Sequence, residues 1–242
     1  MSSPPKTPDE LAKQLAEALP AALRCVVLYG SAAAGDFLPG TSNFNLLIAV
    51  EPLTVAELDA LAPSIADWIR AGNPHPIVFT PTQLIASRDA FPIELLDIRQ
   101  SRRVLWGADL LAELRVKPGD LRLQVERELT GKLLKLRARY LLVAGHEDAV
   151  GRLMLQSLST FLVLFRAALR IYENEVPDRK LDALHALAKH IAFNVQPFER
   201  LYELKRGAAT VADVVVDVPF AAYLAAIEGV AQAINRHSSD KE

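Results

Sequence analysis

The chain has 242 residues, 51% of them apolar and 23% charged, with a formal net charge of −2. That is enough chain to bury a core in one large domain or two modest ones. The near-balance of charge gives no general affinity for nucleic acid or membrane and leaves only a local basic groove as a route to either. Cys25 is the only cysteine, which excludes an intramolecular disulfide and a thiolate metal cage.

The opening "MSSPPKTPDE" has no apolar segment behind a basic start, so it reads as a short lead and not a secretory signal. A cytoplasmic location is the expectation. "PDELAKQLAEAL" has helical spacing, with acidic residues in its first turn. "RCVVLYG" reads as a buried strand ended by glycine, with Cys25 as a small buried hydrophobe, and "NFNLLIAV" as a second strand. "TVAELDALAPSIADWIRAG" is an amphipathic helix capped by Thr54 and closed by Gly72. "HPIVFT" is a short strand with a proline near its start, and "RRVLWG" is a fourth strand. Strands interleaved with helices predict a small mixed sheet with helices over residues 8–116. Trp106 and the "RRVLWG" strand are expected near the junction of the two halves, with the large aromatic as a filler there.

After "RVKPGD" the pattern changes to long helices, predicting an all-α bundle over residues 117–242 and an α+β fold class for the whole. Gly119–Asp120 supplies a break and a cap, and one helix runs from Leu121 to Gly145. A second starts near Glu147 and ends before Pro177. Its stretch "LMLQSLSTFLVLFRAALRIY" is broken by Gln156, Ser157, Ser159, Thr160 and Arg166, which suits the centre of a bundle better than a membrane span. "DRKLDALHALAKHIAFN", "QPFERLYELKRG" and "PFAAYLAAIEGVAQAINRH" are further helices, and "VADVVVDV" before Pro219 reads as an extended connector.

The segment from Leu28 to Val50, "LYGSAAAGDFLPGTSNFNLLIAV", carries the functional signal. Gly30–Ser31 after a strand lets backbone amides and a hydroxyl approach a phosphate closely. Alternate residues on the next strand share a face, so Asn43 and Asn45 are expected to project together toward that turn. Gly30, Ser31, Asn43 and Asn45 are therefore the candidate nucleotide-binding residues.

This segment resembles the signature of the nucleotidyltransferase superfamily, the polymerase-β-like fold. The family has a Gly-Ser turn, about ten residues including a glycine–acid pair, then Ser-Asp-x-Asp and a hydrophobic strand. Here the pattern reads Gly30-Ser31, Gly35-Asp36, Ser42-Asn43-Phe44-Asn45 and Leu46-Leu47-Ile48. The resemblance implies magnesium-dependent transfer of a nucleoside monophosphate from a nucleoside triphosphate to a small molecule, protein or RNA end.

The departure falls on the metal ligands, since both aspartates are asparagine. A dication about 4 Å from a unit charge gains about 8 kcal/mol at an effective dielectric of 20, before desolvation. The family's third carboxylate belongs on the strand after the intervening helix, and "HPIVFT" holds none. The nearest acids, Asp67 and Asp89, fall on the preceding helix and in the following segment. The expectation is a nucleotide-binding or regulatory pseudoenzyme with no metal site, no catalytic residues and no cofactor. One alternative is a working enzyme with acids recruited from Asp36, Glu94 or Asp97. A plainer one makes Asn43 and Asn45 ordinary turn and strand-start residues and Ser31 a simple cap.

The helical half resembles either the C-terminal half of aminoglycoside nucleotidyltransferases or the HEPN domain. Some HEPN domains are ribonucleases with Arg-x(4–6)-His, a spacing that Arg179 and His185 fit, although Lys180 stands where that family has a polar residue. The resemblance therefore implies a further alternative, a HEPN-type ribonuclease or toxin–antitoxin component with the front domain as its regulator. His185 and His190 are five apart, the wrong spacing for a metal pair on one helix face. "KLLKLRARY", from Lys132 to Tyr140, is a basic face, either solvated bundle surface or the lining of a groove that faces the Gly30 turn. Partners expected are a nucleotide and, through the bundle, a second copy or another protein, with no membrane.

Overall fold

The computed structural model describes residues 7–34, 43–208 and 218–239. The connector "VADVVVDV", apart from its last valine, and the acid Asp36 lie outside the described residues. The chain divides into two compact units, Met1–Lys117 and Pro118–Glu242. The fold class is α+β.

The first unit is a four-stranded mixed sheet between two helical layers. In chain order it contains α1 (Pro8–Ala18), β1 (Leu23–Tyr29), α2 (Ser31–Ala34), β2 (Asn45–Val50), α3 (Val55–Arg70), β3 (Ile77–Phe79), α4 (Pro81–Ala86), α5 (Pro92–Gln100) and β4 (Arg102–Gly107). The strand order is β3-β2-β1-β4. β1 is antiparallel to both β2 and β4, and β2 is parallel to β3.

The period-two alternation of the strands sorts their residues between two cores. Val26 and Leu28 of β1 and Leu46, Ile48 and Val50 of β2 pack under α1 and α3, around Leu11, Leu15 and Trp68. Cys25, Val27, Leu47 and Ala49 face the other way, onto Leu84 of α4 and Leu95 and Ile98 of α5. Both central strands are buried on both faces, which is why their sequences read as unbroken apolar runs.

Three helices start with a reciprocal cap. Thr7 with Glu10, Thr54 with Glu57 and Thr80 with Gln83 each exchange side-chain and backbone hydrogen bonds, each cap contributing about 0.5–2 kcal/mol. α4 and α5 were not anticipated from the pattern, although Thr80-Pro81-x-Gln83 is a helix-start signature. β3 is shorter than "HPIVFT" suggests, with only three residues in the ladder. Trp106 is 47% exposed and fills no interior.

The second unit is a bundle: α6 (Pro118–Val143), α7 (Glu147–Leu169), α8 (Lys180–Ala188), α9 (Gln196–Glu203), a π-turn over Leu204–Ala208, and α10 (Phe220–Ser239). α7 is central and packs against α6, α8, α9 and α10. Its apolar side chains Met154, Leu158, Phe161, Leu162 and Phe165 are almost completely buried. Phe161, Phe165, Phe198 and Tyr223 form an aromatic cluster with ring centroids 4.9–6.4 Å apart. Among the described residues α7 is the one helix long and apolar enough to cross a membrane, and 56% of its apolar window is buried inside the protein. Gly119 and Asp120 lie inside the first turn of α6, which begins at Pro118, where the missing N–H costs nothing.

Candidate functional site

The turn after β1 is built by one backbone exception. Gly30 has φ +79°, a conformation that L side chains adopt at a cost of about 1–2 kcal/mol. Its N–H donates to the Ser101 carbonyl at 3.0 Å, and its own carbonyl accepts from Ala33 N–H at 2.9 Å. The first bond ties the turn to the end of α5, and the second starts α2. Because the Gly30 amide is already committed, any ligand at this turn meets only the amides after it. Ser31 is the first residue of α2.

Asn45 is brought to this turn. It opens β2, pairs in register with Tyr29, and is only partly exposed. A Cβ placed on Gly30 would lie 3.2 Å from Asn45 Nδ2, so glycine at 30 makes room for the amide. Asn43 is in a different position. It precedes the strand, belongs to no regular element and is exposed, so the alternation that sets the direction of Asn45 does not extend to it. Phe44, between them, packs on the opposite core, with its ring 6.1 Å from that of Trp68.

Asn45 shares its sheet face with Leu47 and Ala49. On the neighbouring strand the residues of that face are Ile77 and Phe79, which pair with Leu47 and Ala49. Magnesium selects hard, charged oxygens. Among the described residues β2, β3 and the end of β1 offer on this face the Asn45 amide, the Tyr29 phenol and the apolar side chains of Leu47, Ala49, Ile77 and Phe79. That donor set does not fit a divalent ion, and no group of three or more His, Cys, Asp or Glu elsewhere among the described residues is arranged to hold one.

Charged residues of α5 and β4 neighbour Tyr29, the last residue of β1. Burial raises the pKa of the Tyr29 phenol, and the nearby Glu94 carboxylate raises it further. Glu94 is an exposed residue of α5, and its effect on Tyr29 is a signal that sequence spacing could not supply. Arg102, which pairs with Tyr29 in the ladder, holds Asp109 through a forked contact at 2.7–3.1 Å and also donates to the Arg99 carbonyl. That contact, with the Leu111 and Ala112 amides, keeps the Asp109 carboxyl below its usual range. Cys25, on the same face of β1 as Tyr29, has its thiol pushed up to about 11, chiefly by burial.

The other sequence candidates lie elsewhere. Asp67 pairs with Arg70 on the outer surface of α3, and Asp89 is exposed after α4. In the second unit, Arg179 is an exposed residue that precedes α8 in an extended conformation. His185 of α8 pairs with Glu199 of α9 at 3.2 Å, while His190 meets Glu173 at 2.7 Å and stacks on Tyr172. Each histidine thus has its own carboxylate.

No protein-family model matches the chain, and no curated protein matches it. Among solved structures the chain is similar to a spectinomycin adenyltransferase, AAD(9) from Enterococcus faecialis, whose crystal structure holds ATP and spectinomycin. The two are 13% identical with a TM-score of 0.41, over 86% of this chain and 96% of that one.

Proposed function

We propose that this protein is a nucleotidyltransferase-like nucleotide-binding protein that has given up metal-dependent catalysis and acts by binding or regulation. The observation that carries the reading is Asn45. It stands against the Gly30 turn where the family signature has a metal-binding aspartate, and the neighbouring strand presents Ile77 and Phe79 on the same face. The turn keeps its glycine, its serine and the amides that follow them. A phosphate held there is bound by neutral donors, so binding does not depend on a cation. The reading places residues 8–116 as the nucleotide-binding domain and 117–242 as a helical domain, through which a second copy or another protein docks in the cytoplasm.

Calorimetric titration with ATP and GTP tests the site. Saturable binding that Gly30→Ala weakens at least tenfold is expected, because an added Cβ displaces Asn45. Absence of binding, or binding indifferent to this change, contradicts the assignment.

A second reading, a working transferase, is favoured by one observation, the proximity of the Glu94 carboxylate to Tyr29. In that case Glu94 supplies an acid from α5 in place of β3. Magnesium-dependent pyrophosphate release that Glu94→Gln abolishes would establish it.

A further inference from the structure

We infer that the groove between α6 and α7 of the helical unit is a second binding site, for a small organic phosphate with a ring or apolar body. The argument starts from charge. From Gly131 to Val143, α6 carries Lys132, Lys135, Arg137 and Arg139 and no acid. Two of these cations are neutralised, Lys132 by Glu128 at 3.8 Å and Arg137 by Glu228 at 2.7 Å. Lys135 and Arg139 are not: among the described residues no carboxylate is in ion-pair contact with either. They are four residues apart on one helix face, the spacing at which like charges repel. A single anion between them relieves that repulsion and is within reach of both side chains.

The two cations border a hollow of about 460 Å³ between the helices, a size typical of small-molecule sites, which run from about 300 to 1,000 Å³. Its floor is apolar, formed by Leu136 and Phe161, which are 3% and 1% exposed. The floor is also fixed in place. Phe161 packs edge-on against Tyr223, and the Ser157 hydroxyl is engaged by the Tyr223 hydroxyl and the Met154 carbonyl, each at 3.0 Å. On the wall opposite the cations, the exposed Gln156 and Thr160 supply an amide and a hydroxyl. Arg139 also borders a neighbouring hollow of about 260 Å³, where Arg152 adds a third cation. A forked guanidinium beside an ammonium suits phosphate oxygens, and the floor suits a flat or apolar body. A short groove with local positive charge, on a chain of net charge −2, fits a small ligand better than a nucleic-acid backbone.

The test is a calorimetric titration of the full chain with phenyl phosphate, beside inorganic phosphate and phenol. Saturable binding of phenyl phosphate is expected, at least fivefold tighter than either control. The double variant K135Q/R139Q, both exposed positions, should weaken it at least tenfold. K13Q/R88Q, which removes the same charge from exposed positions of the first unit, should leave it unchanged. Equal binding of phenyl and inorganic phosphate would mean an adventitious ion only. That outcome, no saturable binding, or equal losses in the two charge variants would overturn the proposal.

Discussion

Alanine at Gly30 and at Gly107 separates two costs that the sequence cannot tell apart. Both glycines have positive φ, +79° and +74°, so each substitution carries the same left-handed backbone cost of about 1–2 kcal/mol. It is offset by about 0.4–1 kcal/mol from the stiffer unfolded chain. The new methyl groups meet different neighbours. At Gly30 the nearest atom is Asn45 Nδ2 at 3.2 Å, the tip of a side chain that can rotate away. At Gly107 the Cβ falls 2.0 Å from the Arg24 carbonyl oxygen and 2.9 Å from its carbon, both backbone atoms of β1. One strand must move, which also breaks the Ala108 N–H bond to that oxygen. Overpacking of this kind costs about 1–3 kcal/mol and the lost bond about 1 kcal/mol more. We therefore expect Gly30→Ala to cost about 1 kcal/mol and Gly107→Ala about 3–5 kcal/mol, out of a typical total of about 5–15 kcal/mol. Urea unfolding followed by tryptophan fluorescence reads this cleanly, because both tryptophans, Trp68 and Trp106, lie in the first unit. With a slope of roughly 1.5 kcal/mol per M, the midpoints should fall by about 0.7 M and by about 2–3 M. Equal shifts, or a tolerated Gly107→Ala, would refute the steric argument.

Other outcomes follow from the same geometry. Changing Asn43 and Asn45 together to aspartate should create manganese binding detectable by electron paramagnetic resonance, without full catalysis, since Ile77 and Phe79 still supply no third acid. Arg102 lowers the pKa of Asp109, so this pair stabilises the fold fully above the ordinary carboxylate value near 4 and loses its effect as pH falls through the depressed folded value. Asp109→Asn should therefore lose stability at pH 7 and flatten the acid limb of a pH–stability curve; an unchanged curve contradicts this. Asp9→Asn, which breaks the more exposed pair with Arg103, should cost at most about 1 kcal/mol. Cys25, fully buried with its thiol pushed up to about 11, should resist iodoacetamide at pH 8 until urea unfolds the first unit; rapid labelling of the folded chain would contradict its burial.

The parts of this fold legible in the sequence are those set by local periodicity. β1, β2 and β4 stand where their apolar runs predict, and α7 is buried because its sequence is apolar around most of its circumference. α4 and α5 escaped notice because helices of six and nine residues span too few turns to show a period, although Thr80-Pro81-x-Gln83 carried the start signal. At the candidate site, the glycine turn and its meeting with Asn45 were legible because a positive-φ glycine and a strand start have local causes. The difference between Asn43 and Asn45 was not, because it depends on where β2 begins in the ladder. Glu94 near Tyr29 and Asp109 under Arg102 were also hidden, since both depend on how α5 and the segment after β4 fold back on the sheet. The lone cations of α6 were visible as a run, but which of them lack a carboxylate depends on where Glu128 and Glu228 fall.

The most direct test of the central claim is one calorimetric comparison, ATP titrated into the unmodified protein with excess magnesium and again with excess chelator. If phosphate is held by the amides and hydroxyl after Gly30, with Asn45 in place of a charged ligand, the two dissociation constants should agree within about twofold. A tenfold or greater loss of affinity with chelator would show that a metal ion is bound at the site and would contradict the account.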